Sequence, residues 1–233
     1  MKKATFVIAV LLLALARQAQ ADFVQTFNTG FANGGVIPDG SFTGWSDTRA
    51  VSTPGLDHIT DLSVSLNLSG GWNGDLYAYL VHSSGFAVLL NRVGRATSNA
   101  PGFGTAGMNV ILSDAGSLNI HSVPVPTSGG TYRPDGLNIN PLSSPATFSA
   151  TLLSPGPTTP LNSFNGVDPN GSWTLFIADV SGGDVSTVTS WGLDIAAVPE
   201  PGSIVEGSVA VLFLGGVVGL YRLKGPKVQP QAC

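Results

Sequence analysis

The chain has 233 residues, a net charge of −4 and a mean hydropathy of +0.28, a length that suits one domain with a real core or at most two small ones. Six of its ten basic residues lie at the two ends, so residues 22–198 keep twelve Asp, four Arg, no Lys and no Glu, a net charge of −8; such a surface repels phosphate backbones and excludes nucleic-acid binding as a function. The single cysteine, Cys233, is the last residue, so no disulfide can staple the body, and stability has to come from burial.

In chain order, Met1-Lys2-Lys3, the apolar run Ala4–Ala16 and Ala19-Gln20-Ala21 have the charged, apolar and small-residue zones of a secretory signal peptide over residues 1–21. Cleavage is expected before Asp22. From there to Val198 no run shows helical periodicity, while Gly, Pro, Ser, Thr and Asn recur every few residues. Asp without Glu points the same way, because Asp bonds its own local backbone in turns and caps. The body therefore reads as all-β. Residues 22–56 supply short strands at 23–27 and 36–42 and otherwise an extension.

The clearest strand follows, where Leu62, Val64, Leu66 and Leu68 alternate with Asp61, Ser63, Ser65, Asn67 and Ser69, which puts four aliphatics on one face. Gly70-Gly71-Trp72-Asn73-Gly74 tolerates positive φ and returns the chain along 75–82; Ser83-Ser84-Gly85 turns it again into 86–91. A three-strand meander is expected. A strand at 109–114, another at 146–153 and a Pro-bearing surface excursion at 154–160 come next. The last pair, 172–179 and 188–195, reads as a hairpin around Ser181-Gly182-Gly183-Asp184. Trp173 and Trp191, with Leu175 and Leu193, are the expected core of these paired strands. About eight strands without a disulfide predict a jelly-roll-like β-sandwich.

The elements Ile59–Leu66, Gly74-Asp75-Leu76, Thr131-Tyr132-Arg133-Pro134, Phe164-Asn165-Gly166, Gly171-Ser172-Trp173-Thr174-Leu175 and Ser190-Trp191-Gly192-Leu193 occur in an order that resembles the P domain, or P/Homo B domain, of subtilisin-like proprotein convertases. The resemblance covers residues 57–196. It implies a jelly-roll sandwich that stabilises a neighbouring protease or serves as a binding module. Leu137–Pro160 departs from the pattern as an insertion, and the His that often precedes the Gly-Asp-Leu element is replaced by Gly70–Asn73. Residues 22–56 are too few for a subtilisin-like catalytic domain.

Beyond the body, Val198-Pro199-Glu200-Pro201-Gly202-Ser203 leads into the apolar segment Ile204–Tyr221 and the cations Arg222, Lys224 and Lys227. The length is what a single transmembrane helix needs, and the cations would stay cytoplasmic. Glu206, within one turn of the start, can snorkel to the interface. Motif (198–203), span (204–221) and basic tail (222–227) resemble the PEP-CTERM sorting signal. That resemblance implies export through Sec-type machinery, retention in the inner membrane by the C-terminal helix, and release or transfer to the cell surface, outer envelope or extracellular matrix by an exosortase-type membrane peptidase. An exopolysaccharide or a protein is the expected ligand.

Catalytic chemistry is thinly represented. His58, His82 and His121 are the body's only imidazoles; His82 and Ser83 are adjacent, and adjacent strand residues point to opposite faces. There is no Gly-x-Ser-x-Gly elbow and no His-Glu-x-x-His. Scattered turn Asp do not make a glycosidase pair. A non-enzymatic protein is expected. The sequence establishes no cofactor and leaves calcium as the one candidate: Asp75, Asp168, Asp179 and Asp184 fall in turns near the proposed sheet ends, where hard oxygens could converge on a cation or simply cap backbone amides. Both readings stay open at this point.

Overall fold

The computed structural model describes residues 20–83, 85–124, 129–142 and 159–199. Among these residues nine strands run β1 (Ala21–Phe27), β2 (Ser41–Val51), β3 (Leu56–Gly70), β4 (Leu76–His82), β5 (Gly85–Asn91), β6 (Met108–Ser113), β7 (Thr131–Tyr132), β8 (Gly171–Asp179) and β9 (Ser186–Pro199). They form a β-sandwich of two sheets, one in the order β1-β9-β3-β6-β7 and one in the order β2-β8-β4-β5. The all-β expectation holds among the described residues, where no helix is long and apolar enough to cross a membrane. The leader hydrophobic run, the segment Ala146–Leu153, and the sorting signal from Glu200 through Ile204–Tyr221 to Lys227 lie outside the described residues.

The alternation in β3 is what seats the core. Leu62, Val64, Leu66 and Leu68 are all buried, and Leu62, Val64 and Leu66 stand opposite Ile195, Leu193 and Trp191 of β9. From the other sheet Leu80, Trp173, Leu175 and Ile177 close on the same cluster. Trp173 and Trp191 are both 0% exposed, so the ring and leucine positions expected as core are core. Gly192 is needed for this packing: a Cβ there would strike the Gln25 carbonyl oxygen at 2.6 Å and Ser65 Oγ at 2.7 Å, with β1 and β3 flanking it on either side.

Four expectations about connection and extent are corrected. First, 61–91 is not a meander in one sheet. Gly70 and Gly71 at φ +70° and +69°, followed by a 3-10 turn at Asn73–Asp75, carry the chain from β3 in one sheet to β4 in the other; only β4 and β5 form a hairpin. Second, β8 and β9 belong to opposite sheets, so Trp173 and Trp191 come from the two walls of the sandwich rather than from paired strands. The Ser181–Asp184 turn crosses the sandwich. Third, the strand expected at 23–27 is present as β1, paired with β9, but the rest of 22–56 is not a loose extension, because β2 pairs with β8 and takes the place of the strand expected at 36–42. The pattern of β2 escapes period-2 reading because a bulge separates Ser41 from Trp45, next to Gly44 at φ +58°.

Fourth, β9 does not stop at Ile195. Ala197 pairs with Ile59, Val198 with His58 and Pro199 with Leu56, so the first two residues of the sorting motif finish a strand. Proline is tolerated there because it is terminal in the ladder. On the other side of β9, Ala21 pairs with Ala197 and Asp22 with Ala196. The expected leader cleavage position and the start of the C-terminal signal therefore lie side by side at one end of the five-stranded sheet.

Candidate functional site

Polar side chains are buried at both ends of β4 and β8. The register Leu76↔Asp179 to His82↔Trp173 places Asp75 and Asp179 at one end and His82 at the other.

At the first end, the turn after β3 delivers Asp75 and the end of β8 delivers Asp179. Arg92, at φ +53°, reaches back with Nη2 donating to Asp75 Oδ1 at 3.0 Å and Nε donating to the Gly74 carbonyl at 3.1 Å. Asp179 is 1% exposed; its Oδ1 accepts the Ser181 N–H at 3.2 Å, whereas Oδ2 has no hydrogen-bond partner. Burial pushes the Asp179 carboxyl up to about 6; the Ser181 bond opposes this, and Asp75 and Asp39 add to it. Asp75 is raised as well, by burial first, against the hydrogen bond and charge of Arg92, with Asp184 and Asp39 contributing repulsion. Asp39 accepts the Gly183 N–H at 3.1 Å.

The four carboxylates singled out for calcium thus do not form one site. Asp75, Asp179 and Asp184 feel one another or Asp39 at this end, and Asp168 lies beside His82 at the far end. No group of three or more His, Cys, Asp or Glu among the described residues could hold a metal ion. The cation beside Asp75 is the chain's own Arg92, a partner that the sequence pattern around Asp75 did not announce because it comes from beyond β5. Asp75 accepts from this guanidinium rather than from loop amides.

At the second end, His82 is 2% exposed and lies flat on Trp173, ring centroids 4.0 Å apart and planes 5° from parallel. Phe164 packs on the same indole at 5.2 Å, and Trp173 Nε1 donates to the Pro169 carbonyl at 3.0 Å. Gly85 leaves room for this ring, since a Cβ there would collide with Phe164. Both imidazole nitrogens face backbone carbonyls, Ser172 at 3.0 Å and Asp168 at 2.7 Å. The Asp168 carboxylate turns instead to Asn170, accepting its backbone N–H at 2.8 Å and its side-chain amide at 2.7 Å, and these bonds hold it below the usual carboxylate range.

Other polar side chains bond within the framework. His121 Nδ1 meets Asp135 Oδ2 at 2.7 Å and its Nε2 the Arg95 carbonyl at 3.0 Å; Asp135 Oδ2 also accepts the Asn91 N–H at 3.0 Å. Asp47 Oδ2 accepts from Trp191 Nε1 and from Arg49 Nε, each at 2.7 Å, a bond that spans the two sheets. His58 lies on the surface beside Asp57 at 3.1 Å. A groove of about 260 Å3 runs along the edge strand β5, lined by Phe86, Ala87, Val88, Gly136, Asn138 and Pro160. The burial of His82, His121, Asp135 and Asp47 was not read from sequence, because each depends on a residue at least 14 positions away.

No family model matches the chain, and no curated protein matches it. Among solved structures it is similar to the Aeromonas sobria serine protease in complex with its chaperone, at 16% identity and a TM-score of 0.44, with 82% of this chain and 30% of that chain covered. It is similar also to the serine protease of Aeromonas sobria alone, at 16% identity and a TM-score of 0.43 over the same shares. The chain spans about a third of the length of these neighbours.

Proposed function

We propose that this chain is an exported, non-catalytic accessory module with a jelly-roll sandwich of P-domain type, acting beside a subtilisin-like serine protease carried on another chain. The observation that carries the reading is where the family-like motifs sit. Gly74-Asp75-Leu76 opens β4 and locks onto Arg92; Gly171–Leu175 opens β8 and buries Trp173; Trp191-Gly192-Leu193 fills the centre of β9. Each is a framework position, and fold alone does not confer activity. The contacts of His82 with two backbone carbonyls and of His121 with the Asp135 carboxylate are framework contacts, which supports a non-catalytic reading, since acyl transfer needs a base set beside its nucleophile. Cross-linking in the native host followed by mass spectrometry is expected to recover a subtilisin-like protease; a partner set lacking any protease overturns the proposal. Peptide and ester turnover by the purified full chain, abolished by replacing one Ser or His, would overturn its non-catalytic part.

A second reading follows from the end of β9. β9 pairs through Val198 and Pro199, so the motif's first two residues close the last described strand and Glu200-Pro201 follows them in sequence. This suits a cargo protein cut by an exosortase-type peptidase and left in the envelope or matrix, with an exopolysaccharide as ligand. Mass spectrometry of the mature protein tests it: a chain still ending in Cys233 removes this reading.

A further inference from the structure

The loop between the Pro160–Phe164 turn and β8 is joined to both sheets. Toward the four-stranded sheet it is held by His82, whose Nε2 lies 2.7 Å from the Asp168 carbonyl while Nδ1 lies 3.0 Å from that of Ser172. Toward the five-stranded sheet the Gly166 N–H donates to the Ile59 carbonyl at 2.8 Å and the Ile59 N–H to the Val167 carbonyl at 2.9 Å. Asn170 Oδ1 accepts the Thr53 N–H at 2.6 Å. Leu56 and His58 of the same stretch of β3 pair with Pro199 and Val198.

Carbonyl oxygens only accept, and a neutral imidazole carries a single N–H; only the doubly protonated ring donates to both. The parallel indole of Trp173 at 4.0 Å favours a cation over its face. We propose that His82 is a proton-dependent latch: doubly protonated, it closes the 165–170 loop over the end of the sandwich where β1 begins and β9 ends. When the ring gives one proton to solvent it gives up one carbonyl bond, and the loop loosens together with the pairing of Leu56–Ile59 to Ala197–Pro199.

The other charged groups at this end are accounted for. The Asp168 carboxylate is turned to Asn170. On β3, Asp57 and His58 meet on the surface, and Asp61 lies further along. On β2, Arg49 is engaged by Asp47 at 2.7 Å and by the Thr29 carbonyl at 2.6 Å. Behind the Pro160–Phe164 turn, Asp114 accepts the Leu161 and Asn162 N–H groups at 3.3 and 3.0 Å; β5 and the turn itself contribute no titratable side chain. Burial pushes Asp114 up to about 6, so a test must separate its contribution.

The experiment is nitrogen NMR of the imidazole rings and amide hydrogen exchange on the full chain in detergent micelles, between about pH 5 and about pH 8. Two ring N–H groups are expected on His82 at the acid end. Protection of the amides at Ile59, Gly166 and Val198, corrected for intrinsic exchange, is expected to fall about tenfold toward the alkaline end. His82→Gln should flatten that fall, and Asp114→Asn should retain it. A single ring proton on His82 throughout the acid range overturns the latch, as does an undiminished fall in His82→Gln. If His82→Gln does not fold, the ring spectrum of the native chain decides alone.

Discussion

The two ends of β4 and β8 solve the burial of polar groups in opposite ways. At the Asp75 end the one guanidinium bonds Asp75, and the neighbouring Asp179 keeps an oxygen without a partner. At the His82 end both ring nitrogens have partners, but two carbonyls compete for the protons of one ring. One end carries excess negative charge, and the other sets two acceptors against one ring. The cost of burying a polar group depends on its protonation as much as on its neighbours.

The largest effect should come from removing the platform of the His82 end. Trp173→Ala strips His82 and Phe164 of their stacking surface and deletes the Nε1 bond to Pro169, and it is expected to cost about 3–5 kcal/mol in urea denaturation. A smaller cost would mean that the ring stack does little to hold this end together.

Next comes the carboxylate end. Asp179 has an unfolded value of 3.8 and a folded value of about 6, so the folded state binds the proton more tightly. Its favourable contribution is complete below the unfolded value and is lost as pH rises through about 6. Asp179→Asn should therefore stabilise the protein at neutral pH by on the order of 2 kcal/mol and shrink the gain in stability on acidification; an unchanged pH profile from thermal melts removes this assignment. Gly71→Ala, at the same end, should cost about 1–2 kcal/mol, because φ is +69° and the new Cβ would collide with Ser186. The smallest effect is expected between the ends. Thr48 and Thr174 share a hydroxyl bond of 2.9 Å on the exposed face, and Thr48→Ala should change stability by less than about 0.5 kcal/mol while leaving the pH profile intact.

Local pattern made the strands of this protein legible, and long-range partnership was not. The alternation of Leu62 to Leu68 gave β3, and ring size gave Trp173 and Trp191 as core. Which sheet each strand joined depended on crossings whose local residues also suit a hairpin, as at Gly70–Asp75 and Ser181–Asp184. Asp75 was legible as a turn residue, yet its partner Arg92 lies seventeen positions on. His82 read as the end of a hairpin strand and gave no sign of Asp168. The stretch 22–56 was underrated because the bulge after Ser41 and the mixed polarity of β2 hide its period.

The pairing of Ala21 with Ala197 across adjacent strands has an architectural consequence. Neighbouring strands lie about 5 Å apart, so the two ends of the body could be joined by a short linker and the chain reopened at the β4–β5 turn, giving a circular permutant with the same sheets. The same closeness lets the sandwich be inserted as one cassette into a surface loop of another protein without spreading that loop apart.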